Sequence, residues 1–129
     1  MKYAILTILC ALTMCSNPSS TNPTTTEDPL IGLWKVSIGD EEIRSDIVIH
    51  LKANKTFEDT LTEYINGMVD EVEYGYGTYT TRKNDNGSNS LIFNRIENEE
   101  EEQIVNTYNV SGSTLTLIDA SGFVVFLNK

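Results

Sequence analysis

The sequence predicts an all-β domain in which eight antiparallel strands form an up-and-down meander closed into a barrel. Three observations predict it. Beyond Pro29 the apolar residues recur with a period of two rather than 3.6, the pattern of half-buried strands. Gly, Asn, Asp and Ser interrupt this alternation at short intervals. Every connection is too short for a parallel crossover, so neighbours in sequence must pair antiparallel. An open meander would expose an edge at each side, whereas pairing the last strand with the first removes both. A two-sheet sandwich is the alternative.

The first strand is expected over residues 32–38, with Trp34, Val36 and Ile38 on one face and Leu33, Lys35 and Ser37 on the other. An acidic turn from Gly39 to Glu42 closes it, and at most one helical turn is allowed near Glu41 to Ser45. The second strand spans about 46–52, placing Ile47, Ile49 and Leu51 together and His50 opposite, before the tight turn Ala53, Asn54, Lys55. The third spans 56–65 and ends at Asn66 and Gly67, a strong hairpin signal. The fourth spans 70–82 and runs into the polar tract Lys83 to Ser90. Four more follow over 91–96, 103–110, 114–119 and 123–127. Their connections are the acidic tip Glu97 to Glu102, the turn Ser111, Gly112, Ser113 and the turn Ala120, Ser121, Gly122.

Ahead of this domain, Lys2, the apolar run Tyr3 to Met14 and then Cys15 read as a secretory signal, too short to span a bilayer. Leu12, Thr13, Met14 and Cys15 resemble a bacterial lipobox, although Met14 stands where lipoboxes usually carry Gly, Ala or Ser. The resemblance implies a signal peptide over 1–14 and an acylated Cys15. Residues 15–29 then form a flexible linker, with three prolines and no apolar side chain between Ser16 and Pro29. It reaches roughly 20 Å as a coil and roughly 40 Å as polyproline II. The barrel domain occupies 30–129.

Both cysteines, Cys10 and Cys15, lie in the signal region, so no disulfide staples the domain and its stability rests on an ordinary core. With 9 Lys and Arg against 19 Asp and Glu, the chain carries a net charge of −10. Removing Lys2 with the signal leaves −11. This argues against nucleic acid or an anionic bilayer surface as partner and suits a solvated acidic surface.

The opening Ile31, Gly32, Leu33, Trp34, Lys35, Val36 resembles the G-x-W first strand of lipocalins and other calycins. Leu51 to Phe57 and the step Gly77, Thr78, Tyr79 are similar to hairpin segments of small bacterial lipocalin-like domains, as is the run Tyr108 to Leu117. The ordered set spans the barrel domain, which lacks the disulfides of secreted lipocalins. The resemblance implies a lipocalin-like barrel in which Trp34 seals one end beneath a basic residue from the last strand, for which Lys129 is the one candidate. It also implies the binding of a small apolar ligand.

An eight-stranded barrel is just wide enough to be filled by side chains or to hold one small ligand. The expected inward set is Trp34, Ile47, Ile49, Phe57, Leu61, Phe93, Tyr108, Leu115, Leu117, Phe123 and Val125. Tyr74 and Tyr76 share a face: inward, they would orient a ligand; outward, they would form a surface aromatic patch. The candidate ligand-binding residues are therefore Trp34, Phe57, Leu61, Tyr74, Tyr76, Phe93 and Tyr108, and the candidate lipidation site is Cys15.

Catalytic constellations are weak. His50 is the single histidine and reads as an outward strand residue. No G-x-S-x-G, H-E-x-x-H, P-loop or zinc spacing occurs. Asp59 and Glu63 share a strand face but sit roughly 13 Å apart along it, too far for a glycosidase pair unless the strand is bulged. The acidic tip lacks the spaced ligands and Gly of a calcium loop. The expectation is an exported, monomeric, non-enzymatic lipoprotein of the bacterial outer membrane or cell surface, held to the membrane by its N-terminal lipid only. No cofactor, metal or nucleic acid is expected. The alternative is a protein-interaction or inhibitor module with a filled barrel. In a eukaryotic secreted protein Asn54, Asn86 and Asn109 would instead be usable glycosylation sequons.

Overall fold

Apolar alternation and turn chemistry produce the expected meander. A computed structural model describes residues 27–129, so the expected signal peptide, Cys15 and most of the expected linker lie outside the described residues. The strands are β1 (Gly32–Gly39), β2 (Ile43–Leu51), β3 (Thr56–Ile65), β4 (Met68–Lys83), β5 (Asn89–Glu97), β6 (Glu100–Ser111), β7 (Thr114–Ile118) and β8 (Val124–Asn128). Each pairs antiparallel with the next, and β8 returns to β1 to close an eight-stranded barrel. Among the described residues there is no helix.

The larger departures from expectation lie in three places. Ile43, Arg44 and Ser45 belong to β2 rather than to a helical turn. Asp40 Oδ1 accepts hydrogen bonds from the Glu42 and Ile43 amides at 2.8 and 3.0 Å, closing the turn early enough for the strand to start at Ile43. The acidic tip is mostly strand: β5 and β6 run on to Glu97 and Glu100, leaving only Asn98 and Glu99 to turn. Both take positive φ, 49° and 67°, as Asn66 and Gly67 do at 51° and 77°. That is the two-residue hairpin geometry whose twist matches the flanking strands, and Asn tolerates it well. The third is at the start of the domain. Asp28 and Pro29, read as linker, form a turn that packs on the barrel: the Leu30 amide donates to Asp28 Oδ1 at 3.0 Å, and Lys55 pairs with the same carboxylate at 3.1 Å.

Inward side chains fill one half of the barrel and not the other. The filled half holds Leu30, Trp34, Leu51, Phe57, Tyr79, Leu91, Phe93, Leu115, Leu117 and Leu127 as a single buried cluster. Trp34 sits at its end. The Trp34 indole N–H donates to the Leu30 carbonyl at 2.8 Å, and the Lys129 ammonium lies 4.9 Å from the ring centroid, the arrangement implied by the G-x-W resemblance. Lys129 also donates to the Pro29 carbonyl at 3.1 Å, so the two ends of the described chain lock over the indole. Gly32 makes this possible, since a Cβ there would lie 2.4 Å from Lys129 Cε.

The seam between β1 and β8 is short. Its single register pair is Lys35 with Asn128, toward the closed end. From there β1 and β8 share no ladder toward the opposite end, and this is where the barrel is open.

Candidate functional site

The open end is built by the C-terminal halves of β1, β3, β5 and β7 and the N-terminal halves of β2, β4, β6 and β8. Its wall has two characters. On one side Ile47 and Ile49 of β2, Ile104 of β6, Leu117 of β7 and Val125 and Leu127 of β8 line an apolar cavity of about 260 Å3. Phe123 and Asp119, from the β7–β8 turn, stand at its rim. Ile47 and Ile49 also border a second recess of about 180 Å3, shared with Leu61, Thr60, Asp59 and Arg95. β2 is thus the spine between an apolar and a charged half of the mouth.

In the charged half, strand parity places Arg95 inside the barrel, opposite Glu102 on β6 and Gly77 on β4. Burying a guanidinium is costly unless its donors are used. They are used: Asp59 accepts bidentately, from Nε at 2.8 Å and Nη2 at 2.9 Å, Glu97 accepts from Nη1, and Glu102 accepts at 3.2 Å. The paired Asp59 holds the guanidinium above its ordinary pKa, against the opposing effect of burial. Gly75 makes the space, since a Cβ there would lie 2.4 Å from Arg95 Nε and 2.6 Å from Asp59 Oδ1. Glu63 and Glu73 complete the same inward rows of β3 and β4. Repulsion from Glu97 is the largest influence on Glu73 and pushes its carboxyl above the ordinary range, with burial and Glu71 adding and Arg95 opposing.

The apolar half contains one polar side chain, Asn106. It is 8% exposed, lines the cavity, and its amide makes no hydrogen bond among the described residues. At the rim Asp119 Oδ1 accepts from the Ser121 hydroxyl at 2.6 Å and from the Ser121 and Phe123 amides at 2.8 and 3.0 Å. These bonds, the hydroxyl first, lower its pKa and keep it ionised.

The candidate ligand-binding residues scatter. Leu61 lines the mouth. Trp34, Phe57 and Phe93, at 0, 2 and 5% exposure, belong to the packed floor, where Phe57 and Phe93 meet edge to face with centroids 4.8 Å apart. Tyr108 is half-buried against that floor. Tyr74 and Tyr76 point outward, 69 and 56% exposed, because Gly75, Gly77 and Tyr79 take the inward face of β4. They form the surface aromatic patch, not a ligand-orienting pair within the barrel. Phe123, expected inward, is 57% exposed at the rim because β8 begins one residue later. His50 is outward, as read.

Sequence reasoning missed Arg95, Glu97, Asn106 and Asp119. A signal existed: Leu91, Phe93, Arg95 and Ile104, Asn106, Tyr108 alternate so that the polar residue shares the apolar face, as Asp59 does between Phe57 and Leu61. A further recess of about 360 Å3 at the β5–β6 tip is lined only by Glu97, Asn98, Glu100, Glu101 and Glu102. Among the described residues no group of three or more His, Cys, Asp or Glu side chains is arranged to hold a metal ion. No family model, curated protein or solved structure matches the chain.

Proposed function

We propose that this is a lipocalin-like binding protein whose open mouth takes one small, largely apolar ligand. The observation that carries the reading is the apolar cavity with Asn106 on its wall: the residue is 8% exposed and its side chain makes no hydrogen bond among the described residues, so it offers polar groups to whatever enters. The cavity, at about 260 Å3, lies just below the roughly 300–1,000 Å3 of drug-sized sites, so the ligand is small.

An environment-sensitive apolar probe should bind saturably with one-to-one stoichiometry. Val125→Trp, which grows a wall residue into the cavity, should abolish that binding. Tyr74→Ala and Tyr76→Ala should leave it unchanged, because both side chains are on the outer surface. Absence of saturable binding by the unaltered protein would overturn the reading. A second reading, a module that docks another protein, is favoured by the same exposed Tyr74 and Tyr76 on the outer face of β4. It predicts the opposite sensitivity to these substitutions, in partner binding.

The exported, lipid-anchored location belongs to the same proposal and rests on the Leu12 to Cys15 lipobox resemblance and the Pro-rich linker. One acylated residue would be the anchor, so Cys15→Ser should move the protein from the membrane fraction to the soluble one. Unchanged partitioning would contradict it.

A further inference from the structure

Resting on the binding proposal above, we infer that the mouth selects an amphipathic cation: a small apolar body carrying one protonated amine or quaternary ammonium. The apolar body is matched by Ile47, Ile49, Ile104, Leu117 and Val125. The charge preference follows from the inventory of the mouth. Asp59, Glu63, Glu73, Glu97 and Glu102 face or rim the barrel interior around the one guanidinium of Arg95. Asp119 adds a carboxylate at the rim of the apolar cavity itself.

Arg95 does not offer an anion site. Its Nε and Nη2 are bonded to Asp59, and its Nη1 to Glu97 and Glu102, so a ligand carboxylate would have to displace carboxylates already in place. Asp119 is free in the complementary sense. Its Oδ1 accepts the three bonds of its own turn, while Oδ2 makes none among the described residues. The side-chain carbonyl oxygen of Asn106, which makes no hydrogen bond among the described residues, supplies a second acceptor for an ammonium N–H on the wall of the same cavity. The repulsion between Glu97 and Glu73 is an interaction that a bound positive charge would reduce.

The test compares three ligands with one tail and different heads, octylammonium, 1-octanol and octanoate, by isothermal titration calorimetry on the protein purified without detergent. Octylammonium should bind about ten-fold tighter than 1-octanol at low ionic strength, with octanoate weakest. The gap should narrow in 1 M salt, where the Debye length is about 3 Å. Asp119→Asn keeps the turn acceptor and removes the charge, and should lower the ratio of octylammonium to 1-octanol affinity by about three-fold. Equal affinities for octylammonium and 1-octanol, or tightest binding of octanoate, would overturn the cation preference while leaving the cavity proposal standing. Failure of all three to bind would overturn both.

Discussion

Trp34→Ala should destabilise the protein by about 3–5 kcal/mol, the range for emptying a buried large aromatic site. Trp34 is 0% exposed and closes the filled half of the barrel. Its removal opens a void against Leu30 and the floor, orphans the Leu30 carbonyl that accepts its N–H, and strips Lys129 of the ring it covers. The surrounding strands are tied by their ladders and cannot collapse into the gap. Lys129→Ala tests the lid separately and should cost only about 0.5–1 kcal/mol, the worth of an exposed cation–π contact. Urea denaturation measures both. The emission of the single Trp offers an independent check, since a water-exposed spectrum in the native protein would contradict the buried position.

Arg95→Met should cost about as much, roughly 3–5 kcal/mol, for a different reason. The guanidinium side chain is 10% exposed and its partner Asp59 17%, so deleting the cation leaves Asp59 and Glu97 facing each other without a counter-charge. A surface ion pair would contribute little, but a largely buried one fails asymmetrically when one member is lost. Adding Asp59→Leu to Arg95→Met should recover most of the loss, because the pair is then replaced by apolar volume rather than broken. Denaturant midpoints of the two variants decide this. A small effect of Arg95→Met alone would mean that water already fills the charged half.

The strand order, the antiparallel pairing and barrel closure were all legible in the sequence, and β3 was placed to the residue, because its alternation is clean and Asn66–Gly67 ends it. Strand ends at the acidic tip were not, because runs of Glu read as turn until pairing with the neighbouring β5 draws Glu100 to Glu102 into β6. The site was legible only in part. Large apolar and aromatic residues point inward wherever the core needs them, and that rule finds the packed floor through Trp34, Phe57 and Phe93. A cavity lies where bulk is missing, so the same rule passes over it. The sequence leaves both facings of Tyr74 and Tyr76 open, and they turn outward for a related reason: two glycines take the inward face of β4, where Gly75 leaves room for Arg95 and Asp59. That pairing joins residues 36 positions apart, which no local pattern displays.

The most direct test of the account is where a bound probe sits. Side-chain NMR of the protein titrated with octylammonium should shift the methyl resonances of Ile47, Ile49, Ile104, Leu117 and Val125 together with the Asn106 amide, while the rings of Tyr74 and Tyr76 stay unmoved. Shifts confined to the outer tyrosines, with the Asn106 amide and the mouth methyls silent at saturation, would contradict it.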